Sequence, residues 1–431
     1  MRTAISVLAL LLSTAAAQAD GNSFVIRDAR VFDGEKTIAH ADVVVKDGKI
    51  TAVGAHLAAP NGVAVYDGRG KTVIPGLIDS HVHTFPTAPA DALRFGITTE
   101  LDMFDIGQDI GAWKKQRESL TRTDQADVWA AGIGVTAPGG HPSEFAPPGM
   151  MPTLASAADA KAFIDARVAA GSDYIKVFIE DLSEYPGRKP MPTLTKDEVC
   201  AVVAAAHADH VMTTIHVQAE WAAREAIDCG TDGLAHMYPD KIADPAVVAD
   251  AKAHHIFIET TASVWAGASG LDLAQKLGAD PRVAPYLSGT QKQSLFAGTK
   301  HPSPQFFPNV VENLRLYHEA GVPLLPGTDA PNPATAHGPS LHEELQIFVQ
   351  AGYTPEQALN AATALPTRIF HLGDRGHIAP GYRADLILID GDPTTKISDT
   401  LSIARIWKNG YAIDRTPPKA DPRGPAPGGA Q

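Results

Sequence analysis

Val73-Ile74-Pro75-Gly76-Leu77-Ile78-Asp79-Ser80-His81-Val82-His83 is the stretch on which the reading of this chain turns, an apolar strand-like run that ends in a His-x-His pair. In an extended chain, residues two apart point to the same face, so both imidazoles can reach one ion. Alone the pair says little: a chain of 431 residues with 17 histidines yields such a triplet roughly 0.7 times by chance. Its weight depends on what the rest of the chain places beside it.

Beyond it, apolar strand-like runs alternate with amphipathic or Ala-rich helical stretches, as in a parallel βα architecture. Eight candidate strands run over 73–78, 98–102, 128–135, 174–179, 211–216, 233–236, 256–261 and 322–328. This predicts an α/β protein, a (β/α)8 TIM barrel whose active site lies at the C-terminal ends of the strands. Before it, short β-rich runs are punctuated by Asp47-Gly48 and Asp67-Gly68 turns, and similar strands return at 384–390 and 403–407, with Asn409-Gly410 as a hairpin turn. Both chain ends are therefore expected to build one small β-sandwich domain. The expected division is a signal peptide over 1–19, the small domain over 20–74 and 376–415, the barrel over 75–375, and a disordered Pro/Gly-rich tail over 416–431. Three long connections, 137–152, 181–192 and 263–308, follow strands and are candidates for a lid or substrate pocket.

The N-terminus reads Met1-Arg2, an apolar run to Leu12, then small residues ending in Ala17-Gln18-Ala19, the pattern of a cleavable secretory signal. The run is too short for a stable membrane anchor, so an exported protein, periplasmic or secreted, is expected. Net charge is −13, dispersed along the chain, which argues against a nucleic-acid partner and for a small-molecule substrate; a homo-oligomer is left open. Cys200 and Cys229 are the only cysteines, and two free buried thiols are preferred here to a bridge.

Four further signals concern chemistry. Lys176, in Tyr174-Ile175-Lys176-Val177-Phe178, points by alternation into the barrel, where an ammonium is costly unless paired or chemically changed. One reading pairs it with a carboxylate; the other has the neutral amine take up CO2 to form a carbamate able to bridge two cations. His216 and His236 each end a strand-like run, and either alone reads as a structural histidine. Asp329 ends another and alone reads equally as a helix cap. Taken together, nitrogen and oxygen ligands fall at the same end of strands one, four, five, six and eight. His141 reads as a substrate contact or a loop-holding residue, Asp102 as a support for a ligand or a helix cap, and His207 and His342 as solvent or interhelix residues.

The chain here resembles the amidohydrolase superfamily, in its imidazolonepropionase-like and prolidase-like branch. The resemblance extends from about Phe24 to Trp407 and is carried by residues 75–83, Gly327-Thr328-Asp329-Ala330, and Gly376-His377-Ile378-Ala379-Pro380-Gly381-Tyr382-Arg383-Ala384-Asp385-Leu386. It implies two divalent metal ions, zinc by expectation, with His81, His83 and Asp329 on the first, His216 and His236 on the second, and carboxylated Lys176 bridging both. It also implies that Asp329 shuttles a proton while a metal-held hydroxide cleaves an amide. Prolidase-like members commonly carry tyrosine two residues after the strand-five histidine; here Gln218 stands there, able to donate a hydrogen bond to substrate but not to act as an acid. The expected activity is C–N cleavage of a dipeptide, N-acyl amino acid or similar small amide. The alternatives are a lactonase or esterase on the same centre, or a non-catalytic metal- or solute-binding protein.

Overall fold

The computed structural model describes residues 21–417, except 122, 147, 148, 184, 186, 187, 300 and 301. The segment expected as a signal peptide and tail residues 418–431 lie outside the described residues.

Five strands open the chain, β1 (Phe24–Phe32), β2 (Thr37–Lys46), β3 (Lys49–Gly54), β4 (Ala64–Asp67) and β5 (Lys71–Pro75). Eight more follow: β6 (Leu77–Val82), β7 (Ile97–Asp102), β8 (Asp127–Ala130), β9 (Ile175–Ile179), β10 (Thr213–Val217), β11 (Gly233–Ala235), β12 (Phe257–Glu259) and β13 (Leu324–Leu325). The chain closes with β14 (Leu386–Asp390), β15 (Ile403–Lys408) and β16 (Tyr411–Ala412).

Strands from both chain ends share one sheet, in the order β16-β15-β14-β5-β1-β2-β3 with β4 paired to β1. Its turns are those the sequence marks: Asp47-Gly48 and Asn409-Gly410 both have positive φ, as tight hairpins require. Phe24 stacks on Trp407 at 4.8 Å within its apolar core, which also holds Ile26, Val31, Val43 and Leu386.

The run read as one strand over 73–78 divides at Gly76 between the two sheet systems. A Cβ at Gly76 would lie 2.1 Å from Thr98 Oγ1, so only glycine lets the chain pass there. Beyond the break β6, β7 and β8 form a parallel sheet of three, and β9 to β13 a parallel sheet of five. Backbone bonds cross both seams: Val135 N donates to Lys176 O (2.8 Å), Phe178 N to Val135 O (2.9 Å), and His83 N to Ala330 O (2.8 Å). Alternation on β9 is as read from the sequence. Ile175, Val177 and Ile179 pack with helix residues such as Val199 and Val203, while Tyr174 belongs to a separate cluster with Ile78, Leu101, Phe257 and Leu325.

Several expectations are corrected. The late strands are shorter than read: pairing stops at Ala235, Glu259 and Leu325, and the backbone turns left-handed at His236 (φ 79°) directly after β11, and further on at Thr261 (φ 48°) after β12 and Asp329 (φ 53°) after β13. The stretch 263–308 is not a bare loop but carries the helices Ala262–Ala268, Leu273–Ala279 and Gly289–Leu295. Cys200 and Cys229 are half-buried rather than buried and form a disulfide. They sit on the helix Lys196–Ala208 and at the end of the helix Glu220–Asp228, which pack side by side with the two Cα atoms 4.6 Å apart, within bridging reach.

Candidate active site

Six side chains converge where the strands end. His81 lies on β6 and His83 just past it, Lys176 on β9, His216 on β10, His236 after β11, and Asp329 in the turn after β13. Gly327 permits this crowding, since a Cβ there would stand 2.5 Å from that of His81. His83 Nε2 is 3.0 Å from Asp329 Oδ1, His81 Nε2 is 3.6 Å from the same oxygen, and Lys176 Nζ is 3.4 Å from His81 Nε2. On the other side His216 Nδ1 and His236 Nε2 face each other at 2.9 Å. Asp329 Oδ2 lies 3.9 Å from His236 Nδ1, between the two groups.

Each histidine is held by its other ring nitrogen. His81 Nδ1 meets Glu259 Oε2 (2.9 Å), His83 Nδ1 donates to the Phe104 carbonyl (3.0 Å), His216 Nε2 meets Glu180 Oε2 (2.9 Å), and His236 Nδ1 meets Thr261 Oγ1 (2.8 Å). The Phe104 carbonyl can only accept, so His83 Nδ1 carries the proton; Glu259, Glu180 and Thr261 can accept from the outward nitrogens of the other three rings in the same way, which leaves their inward nitrogens free to present a lone pair. That is the arrangement of metal-ligating histidines, whose outward N–H is tied to a carboxylate, carbonyl or similar acceptor. Burial, with the charge of Lys176 adding to it, holds His81, His216 and His236 well below the ordinary histidine range, hence neutral. His81, His83 and Asp329 bring ligand atoms within 4.8 Å of one another. So do His141, Glu180 and His216, but through the Nε2 that Glu180 already engages.

The charged groups complete the electrostatics. Burial pushes Lys176 down to about 8, so the free amine is present near neutral pH as a minor fraction, roughly a tenth at pH 7. Asp329, although buried, is held below its usual value by His83 and His236 and stays ionised, its Oδ1 facing His83 Nε2. Burial raises Glu259 to about 8 and Glu180 to about 7, a cost that a nearby cation would offset.

The remaining expected residues fall as follows. His141 Nδ1 bonds Glu144 Oε1 at 2.7 Å within its own loop, while Nε2 stands 3.6 Å from Glu180 Oε2, so it both ties the loop and borders the centre. Gln218 is adjacent, its Nε2 3.2 Å from His216 Nε2 and its Oε1 accepting from the Tyr185 hydroxyl. Asp102 caps no helix; its Oδ1 accepts from Thr84 N (2.7 Å) and Oγ1 (2.9 Å), fixing the chain one residue past His83. The Asp329 carboxylate likewise caps no helix among the described residues, the next being Pro339–Gln350 with Gly338 at its N-cap. His342 is buried against the Phe95 carbonyl (2.9 Å) and not in solvent, whereas His207 is exposed beside Asp232.

Sequence reasoning missed Glu180, Glu259, Thr261 and His337. The two glutamates had a usable signal, a carboxylate closing an apolar strand, the same feature that marked Asp329. His337 had none: it lies in the Asp329 connection, with Nδ1 2.7 Å from Glu100 Oε1 and Nε2 3.2 Å from the His83 carbonyl.

Residues 72–413 match the model of the amidohydrolase family. This chain belongs to the amidohydrolase family. Imidazolonepropionase of Deinococcus deserti is 23% identical over 393 residues, covering 86% of this chain and 92% of that one. Among solved structures, a Xaa-Pro dipeptidase with bound methionine in its active site superposes with TM-score 0.70 at 21% identity, covering 91% of this chain and 100% of the other. Molinate hydrolase does so with TM-score 0.72 at 19% identity, over 92% and 95%. These likenesses show a shared fold, and with the family match they make this amidohydrolase a hydrolase acting on carbon–nitrogen bonds.

Proposed function

We propose that this amidohydrolase is an exported enzyme that hydrolyses the C–N bond of a small amide, a dipeptide or N-acyl amino acid, at a binuclear metal centre on a (β/α)8 barrel. The observation that carries the reading is the orientation of four histidines, three of them buried, each with one ring nitrogen against a carboxylate, carbonyl or hydroxyl and the other facing the centre. Such a donor set fits metal, and His81, His83 and Asp329 would hold one cation and His216 and His236 the other. Lys176, as a carbamate formed from its free amine and CO2 with release of a proton, would lie between them; nitrogen and oxygen donors of this kind suit zinc. Divalent cations there supply Lewis acidity and bring the pKa of water near neutrality.

The chain's own residues perform the rest. Asp329, held ionised, accepts the proton of the attacking water and passes it to the departing nitrogen as the C–N bond breaks. Glu259, Glu180, Thr261 and the Phe104 carbonyl keep the rings in register, and Gln218 and His141 border the position of the substrate. Bridge-forming cysteines agree with an oxidising compartment and thus with export. The domain division supported is a small β domain from both chain ends set on the barrel.

A panel of N-acyl amino acids, dipeptides, esters and lactones, assayed with metal-loaded wild type and Asp329→Asn, tests this reading. Amide turnover that falls by about 10²–10⁴-fold in the variant is expected. Turnover confined to esters or lactones would move the activity to the alternative class, and no turnover at all with full metal occupancy would leave a binding protein.

A further inference from the structure

Beside the second ligand pair, side-chain contacts run in a closed circuit. From His236 the ring of Trp265 lies at 6.3 Å, from Trp265 that of Phe306 at 5.7 Å, and from Phe306 that of Tyr185 at 5.6 Å. The Tyr185 hydroxyl bonds Gln218, Gln218 touches His216 at 3.2 Å, and His216 returns to His236 at 2.9 Å. The three aromatic residues come from two connections: Tyr185 from the one after β9, and Trp265, on the helix Ala262–Ala268, and Phe306, at the start of the helix Phe306–Ala320, from the long one between β12 and β13. Both connections follow the C-terminal ends of strands, so chain elements far apart in sequence deliver aromatic surface to one side of the site.

The circuit also contains an unspent donor. Trp265 is only 3% exposed, yet its indole Nε1 has no hydrogen-bond partner among the described residues. A buried donor without an acceptor is costly, and indole N–H groups usually find a partner when buried. Aromatic surface and one buried N–H without an acceptor are complementary to a planar apolar group carrying an oxygen acceptor.

We propose that Trp265 and Phe306 form a specificity subsite for an aromatic or flat apolar acyl group, with the Trp265 N–H donating to an oxygen of the substrate. This rests on the amide-hydrolase reading above, and the test separates the two. In the reaction concerned, N-benzoylglycine and water give benzoate and glycine: the amide C–N bond breaks, a C–O bond forms, and a proton goes to nitrogen.

Metal-loaded wild type, Trp265→Phe and Phe306→Ala are compared on N-benzoylglycine and N-acetylglycine, with benzoate binding followed by titration calorimetry and metal content checked in each. The expected result is a benzoyl-over-acetyl preference in kcat/KM of at least about tenfold in the wild type, largely lost in Phe306→Ala. Trp265→Phe keeps a ring but removes the N–H, and raises KM severalfold with kcat little changed. Benzoate binding that weakens in both variants, without turnover of either amide, would keep the subsite and remove the hydrolase reading. Amide turnover with no benzoyl preference, or with a preference that neither folded, metal-replete variant alters, would overturn the subsite and keep the hydrolase. Absence of both turnover and benzoate binding would overturn the subsite as well.

Discussion

The decisive residues are the acceptors behind the histidines as much as the histidines themselves. Glu180 meets the outward nitrogen of His216 at 2.9 Å and is buried, so it fixes which nitrogen faces the centre. Glu180→Gln is expected to weaken metal binding by about 10–100-fold, read by competition with a chromophoric chelator; unchanged affinity would make the contact incidental. Part of this site is legible in the sequence. His81 and His83 stand out by spacing, and Lys176, His216, His236 and Asp329 by their place at the end of apolar runs. The Phe104 carbonyl carries no mark in a sequence, because every residue has one. The bridge between Cys200 and Cys229 was hidden for a related reason: it depends on how two neighbouring helices face each other, which periodicity does not encode.

Among the elements, the strands are cut to suit the site. At His236, directly after β11, and at Asp329, in the turn after β13, a non-glycine residue takes positive φ, a costly conformation held at two of the candidate ligands. The sequence shows the apolar runs but not where pairing stops, so β11, β12 and β13 were read too long. The helix Pro339–Gln350 poses a different problem. Both oxygens of Glu343 are buried without a partner among the described residues, and burial, with Glu344 adding to it, raises its carboxyl to about 8. A folded-state value above the unfolded one means that the stabilisation is complete below the unfolded pKa near 4.5 and is lost as pH rises through about 8. Glu343→Gln should therefore flatten the decline of stability between these values and raise the melting temperature at pH 8 by about 2–4 °C, with less effect at pH 5. A parallel decline in wild type and variant, by calorimetric melting, would contradict this.

At the scale of the whole molecule, buried charge ties the small domain to the parallel sheets. Asp127, at the start of β8, accepts from Arg375 (2.9 Å) and from Lys408 on β15 (3.0 Å), and Lys408 also reaches Asp385 (2.8 Å); all four are buried. Asp127→Ala would leave two buried cations short of a partner and should cost about 3–5 kcal/mol by denaturant unfolding, with the site chemistry at the far end of β8 intact when folded protein is assayed. The joint sheet was legible as matching strand-like segments at both chain ends, whereas this charge network was not, since its members are scattered from 127 to 408.

Metal content by elemental analysis, comparing wild type with Lys176→Ala after reconstitution with metal and bicarbonate, tests the central claim most directly. The account predicts about two metal ions per chain in the wild type and one or none in the variant. A wild type that takes up no stoichiometric metal under those conditions would contradict it and leave Lys176 as a buried lysine paired with carboxylates.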